Sequence, residues 1–218
     1  FCNAGFDLIG DWAQFSYMTR FSVQPAVNLV IMVLIITGGI GFLTWEDIRV
    51  NRFRFQRYRM QTKVVLVTSA VLLLLPALYF FWFEYAALPM DERVWGSLFQ
   101  SVTARTAGFN TLDLNMFSEG GLGIMIILML TGGAPGSTAG GMKVTTLAVM
   151  LSTALSVFRR REDTHFFGRR IEEETVRSAM AILALYLTLF FFGGFCISRI
   201  EGLPLLTCLF ETASAVGT

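Results

Sequence analysis

Three short segments of the chain set a glycine in a similar context: Phe1-Cys2-Asn3-Ala4-Gly5-Phe6, Arg105-Thr106-Ala107-Gly108-Phe109-Asn110 and Ser214-Ala215-Val216-Gly217-Thr218. The glycines lie 103 and 109 residues apart, so the pattern recurs at nearly constant spacing. None of the three joins a nucleophile to a base or gathers metal-ligating side chains; what they offer is backbone. Glycine reaches backbone angles that other residues avoid, so successive carbonyl oxygens can face one way, and a ring of such oxygens replaces the hydration shell of a cation. A helix cap or an outer turn accounts for a single copy. Three evenly spaced copies favour an ion filter formed by the backbone of Asn3, Ala4, Gly5, Thr106, Ala107, Gly108, Ala215, Val216 and Gly217.

A second glycine-rich stretch reads Thr131-Gly132-Gly133-Ala134-Pro135-Gly136-Ser137-Thr138-Ala139-Gly140-Gly141-Met142-Lys143. An unbroken helix tolerates neither so many glycines nor Pro135, so half-helices over Leu122–Leu130 and Val144–Phe158 are expected with an unwound loop between them. A nucleotide-binding P-loop is excluded, because Met142 separates Gly141 from Lys143 where that motif needs Gly-Lys-Ser/Thr. At membrane depth such a loop must be buried or line a wet cavity, where the small polar Ser137 and Thr138 can find partners. Close helix packing through small residues is the competing role for Gly136 and Gly140, and the preferred one for Gly193 and Gly194. Arg105, three residues before Gly108, is costly at that depth unless paired; it can brace the filter through loop carbonyls or a carboxylate, for which Glu211 is one partner. Asp7 and Asp113 follow their glycines and either concentrate cations at the mouth or are simply solvated.

The elements that must position these segments are membrane helices. Hydrophobic residues make up 54% of the chain and charged ones 15%, which points to lipid as the solvent. Uncharged runs of 25, 20 and 21 residues lie between Arg20 and Glu46, Lys63 and Glu84, and Arg177 and Arg199, each long enough to cross as a helix. Pro76 should kink the second. The run from Gly120 to Phe158, interrupted only by Lys143, would extend roughly 58 Å as one helix and so must break. Short apolar segments, Val94 to Ala104 and Leu203 to Leu209, precede two of the glycines and read as re-entrant half-helices.

The net charge of +1 conceals segregation. Arg49, Arg52, Arg54, Arg57, Arg59 and Lys63 cluster in one connection and Arg159, Arg160, Arg161, Arg169, Arg170 and Arg177 in another, whereas Glu84 to Glu119 is mainly acidic. Both basic connections are therefore expected in the cytoplasm, beside an anionic leaflet rather than a nucleic acid. Cys2, Cys196 and Cys208 form no CxxC pair, His165 stands alone, and no Gly-x-Ser-x-Gly elbow is present, so a membrane enzyme using Ser137 has little support. With no initiator Met, the chain reads as a piece of a longer protein.

The three loops, and most of all Ser101-Val102-Thr103-Ala104-Arg105-Thr106-Ala107-Gly108-Phe109-Asn110-Thr111, resemble the Trk/Ktr/HKT potassium transporters, with a close similarity to the bacterial Ktr/Trk membrane subunit. The resemblance implies an all-α polytopic protein of the plasma membrane, with membrane-pore-membrane repeats around one pore. Residues 1–60 would end repeat two, 61–170 form repeat three and 171–218 begin repeat four. It implies potassium as the transported ion, with a sodium-selective or sodium-coupled transporter as the alternative, no cofactor and no enzymatic activity. It casts the loop from Gly132 to Gly141 as an intramembrane gate below the filter, where Lys143 either repels cations or snorkels to the interface. It further implies a homodimer regulated by a cytoplasmic nucleotide-binding ring, for which the basic connections and Glu172-Glu173-Glu174 are docking surfaces.

Overall fold

The computed structural model describes residues 21–22, 24–52, 54–105, 107–112, 114, 117–160 and 164–217. Pro25, whose missing N–H costs nothing in a first helical turn, opens α1 (Pro25–Gly39). The chain then breaks at Ile40-Gly41, with Gly41 at φ +89°, and resumes as α2 (Phe42–Asn51) at 96° to α1. The uncharged stretch from Arg20 to Glu46 is thus not one straight span, as its composition suggested. Gly38, Gly39 and Gly41 interrupt it, because glycine both weakens helix and permits the left-handed angle.

Among the described residues, two helices are long and apolar enough to cross a membrane alone. One is α3 (Met60–Tyr79), which continues through a π turn at Phe80–Glu84, and the other is α7 (Glu173–Glu201). Helical structure continues past Pro76, and Ser101 donates its hydroxyl to the carbonyl of Leu73 at 2.6 Å, close to where the proline removes a donor. On α7, the apolar Leu185, Leu189 and Phe192 are exposed, as a lipid-facing surface requires. The described residues also form the shorter helices α4 (Met90–Thr103), α5 (Glu119–Leu130), α6 (Val144–Phe158) and α8 (Leu205–Gly217). A small antiparallel hairpin, β1 (His165–Phe166) with β2 (Arg169–Arg170), joins α6 to α7. Apart from that hairpin the described elements are helical, as expected.

The same packing occurs twice. Short helix α4 lies against α3 of its own repeat and against α1, and short helix α8 lies against α7 and α5. In each case a half-helix is wedged between the long helix that precedes it and the inner helix of the repeat before. Met32 and Ile35 of α1 meet Phe99 and Val102 of α4 in one core cluster. In the other copy, Ile126 and Leu130 of α5 share a cluster with Phe190 of α7 and Ala213 of α8. Ser118 caps α5 by accepting from the Gly121 amide at 3.1 Å, and the Glu84 carboxylate accepts from the Ser118 amide at 2.9 Å, tying the end of the long helix to the start of the next.

Small residues set the α7–α8 approach: a Cβ on Gly193 would lie 2.9 Å from Thr212 Cγ2, and one on Gly194 would lie 2.5 Å from Leu209 Cδ2. Gly194→Leu should therefore overpack this contact and destabilise the protein by about 1–3 kcal/mol. Thermal unfolding in detergent tests this; an unchanged midpoint would show that α8 is not held by that contact.

Candidate functional site

Helix α4 ends at Thr103, and the residues after it fold back onto that threonine. Its carbonyl accepts from the amides of Ala107 at 3.1 Å and Gly108 at 3.2 Å, while its hydroxyl donates to the carbonyl of Phe109 at 2.7 Å. Gly108 takes φ +79°, where only glycine is unstrained. Thr103 is buried, yet Gly108 is exposed, so the turn presents its glycine to open space while its base stays fixed. No described amide or hydroxyl donates to the carbonyls of Ala107 and Gly108. The α4 C-terminus behind them contributes the negative end of a helix dipole, which favours a cation there. A cavity of about 110 Å³ separates Thr103, Gly108 and Asn110 from Ser214 of α8.

The second described copy is built differently. Ala215, Val216 and Gly217 form the last turn of α8 rather than a turn after it, and the Val216 carbonyl accepts from the Tyr186 hydroxyl at 2.8 Å. Asn3, Ala4, Gly5 and Asp7, together with Thr106 and Asp113, lie outside the described residues.

The glycine-rich loop runs from Thr131 to Lys143 between α5 and α6, and its neck is closed by backbone pairing. The Gly132 amide donates to Met142 at 2.8 Å, Met142 to Leu130 at 3.2 Å and Val144 to Gly133 at 3.1 Å. Bare glycine makes this approach possible, since a Cβ on Gly132 would fall 1.8 Å from the Gly140 carbonyl. Gly136, at φ +69° with nothing within 4 Å of where a Cβ would stand, is present for backbone angle rather than for packing. The loop also approaches both described glycine segments. A Cβ on Gly141 would lie 3.1 Å from the Gly217 carbonyl, and Arg105 Nη2 donates to the Gly132 carbonyl at 3.4 Å.

Arg105 is buried, and its guanidinium also contacts the Ser69 hydroxyl at 3.3 Å. Of the two partners the sequence left open, the contact is to a loop carbonyl, and Glu211, the carboxylate considered, is exposed on α8 instead; a guanidinium has five donors, and neutral oxygens take up two contacts here. Lys143 Nζ donates to the Ala139 carbonyl at 2.8 Å and so closes its own loop.

Sequence reasoning missed Thr103, Ser69 and Tyr186, whose roles depend on contacts across helices. It also missed Gly38, Gly39 and Gly41, for which a signal existed: Thr37-Gly38-Gly39 repeats Thr131-Gly132-Gly133. Both threonines bond back into their helices, Thr37 to Leu34 at 2.9 Å and Thr131 to Ile127 at 2.8 Å.

Long outer helices, short half-helices that lead into or end on the glycine segments and broken inner helices define a multi-pass membrane protein. The family model described as TrkH, cation transport protein, matches residues 1–218, and the chain belongs to that family. It is 38% identical over its full length to the Ktr system potassium uptake protein B of Bacillus subtilis, and 35% identical to the potassium/sodium uptake protein NtpJ of Enterococcus hirae. In each case it covers 49% of the relative, so the chain spans about half the length of the curated relatives it matches. The crystal structure of the potassium transporter TrkH from Vibrio parahaemolyticus superposes with a TM-score of 0.77 at 18% identity, over 95% of this chain and 46% of that one. The repeated fold read from the sequence is thereby borne out, as is the placement in the plasma membrane.

Proposed function

We propose that the complete protein takes up potassium across the plasma membrane through a filter of backbone carbonyls, with the loop from Gly132 to Gly141 as its gate. The observation that carries this reading is the meeting of three elements: Gly108 exposed on a turn tied back to Thr103, Gly217 at the end of α8, and a glycine-rich loop within contact distance of Gly217 and bonded to Arg105. Conduction of this kind needs no cofactor and no catalytic residue; ions exchange water for carbonyl oxygens and leave again. Arg105 supports the filter by holding Gly132, and Lys143 stabilises the loop through Ala139. The repeat boundaries near residues 60 and 170 fall in the basic connections, which would face the cytoplasm.

Sodium-coupled or sodium-selective transport is the second reading, and the relative described as a potassium/sodium uptake protein is what favours it. The family resemblance supports a homodimer in lipid, regulated by a cytoplasmic nucleotide-binding ring docked on the basic connections.

Binding gives a direct test. At constant ionic strength, potassium should raise the melting temperature of the complete protein, since a ligand at 100 times its Kd stabilises by about 2.7 kcal/mol. Sodium should do so far less. Equal shifts with both ions would count against potassium selectivity.

A further inference from the structure

Between α1 and α2 the chain offers a row of backbone groups, and the glycine-rich loop occupies it. Ala134 donates its amide to the Gly39 carbonyl at 2.9 Å. Thr138 contacts the Gly38 carbonyl through its amide at 3.3 Å and its hydroxyl at 3.2 Å. In the opposite sense, the Phe42 amide donates to the Gly136 carbonyl at 3.1 Å. These contacts span about 100 residues of sequence, and each needs the 96° break, because in a continuous helix the carbonyls of Gly38 and Gly39 would face amides of the next turn. The fit is close: a Cβ on Gly41 would lie 2.7 Å from the Pro135 carbonyl, and one on Gly133 would lie 3.0 Å from the Gly39 carbonyl.

We infer that the α1–α2 break is the seat on which the gate loop closes, and that Gly38, Gly39 and Gly41 are positioning residues of the gate. The inference rests on the gate reading of the loop and adds the partner that holds it shut. The seat is also anchored at its far end. Asp47 of α2 accepts from the Arg59 amide at 2.8 Å and from the Asn51 side chain at 2.7 Å, so α2 is tied to the basic connection leading into α3. A force applied to that connection therefore reaches the loop through α2.

The test is unstimulated potassium flux in proteoliposomes containing the complete protein, for Gly41→Ala, for a deletion of Ala134 to Ala139, and for both combined. Gly41→Ala adds a methyl where only a positive φ and bare backbone fit, and should raise unstimulated flux about tenfold by costing one to two hydrogen bonds at the seat. In the deletion the substitution should add nothing, since the loop it displaces is gone; a merely structural role would leave the two effects additive. Should Gly41→Ala fail to reach the membrane, Thr138→Val decides, with a flux rise of about threefold expected from losing one contact. A deletion that raises flux while the folded substitution does not would overturn the seat and leave the gate standing. If neither changes flux, the gate reading fails and takes the seat with it.

Discussion

Removing Ala134 to Ala139 is expected to raise ion flux by about tenfold or more, which corresponds to lowering one barrier by about 1.4 kcal/mol. The deletion takes away the loop's hydrogen bonds to the α1–α2 break: the Ala134 amide on Gly39, Thr138 on Gly38 and the Gly136 carbonyl under Phe42. It leaves the neck, in which Gly132 pairs with Met142 and Val144 with Gly133. The limbs of that neck already touch, since no Cβ would fit between Gly132 and the Gly140 carbonyl. Joining Gly133 to Gly140 therefore need not displace α5 or α6. Because Thr103 and Gly108 are untouched, preference among ions should survive while the rate rises. Flux measured in proteoliposomes at matched protein density checks this, and an unaltered rate in well-folded protein would return the loop to a packing role.

Gly108→Ser is expected to weaken potassium recognition without unfolding the protein. At φ +79° a residue with a Cβ pays about 1–2 kcal/mol. That is a factor of about 5 to 30 if the cost falls on the ion-binding conformation. The turn can relieve the strain only by giving up the Thr103 contacts to Ala107, Gly108 and Phe109, and with them the direction of the carbonyls. KM for potassium should rise and discrimination against sodium should fall, while membrane abundance stays level, since Gly108 is exposed and fills no core. Selectivity and KM both unchanged would remove Gly108 from the filter.

The parts legible in the sequence are those where composition forbids the alternative. Glycine density with Pro135 forced an unwound loop, and the predicted half-helix Val144–Phe158 is α6 as observed. The long uncharged runs gave α3 and α7, and the small residues Gly193 and Gly194 gave the α7–α8 contact. The bend at Gly41 was hidden for the opposite reason: apolar residues continue on both sides of it, and two or three glycines are tolerated in a membrane helix. Short-helix ends were misplaced because apolarity does not mark them; α8 runs through Gly217, and α4 begins at Met90 on the acidic Asp91 and Glu92, which suit a helix N-terminus. For Arg105 the sequence left a loop carbonyl and a carboxylate open, and the contacts it makes are to the Gly132 carbonyl and the Ser69 hydroxyl, 27 and 36 residues away in sequence. Such partners are fixed by how α3, α4 and the loop pack, which no local pattern encodes.

Potassium uptake at low external concentration, in bacteria lacking their own uptake systems, puts the filter to the most direct trial when the complete protein is compared with its Gly108→Asp variant. The carbonyl filter predicts saturable potassium uptake by the unaltered protein, little sodium uptake in parallel, and loss of uptake in the variant at equal membrane abundance. Uptake of neither ion by the folded, membrane-inserted protein, or uptake that Gly108→Asp leaves intact, would contradict it.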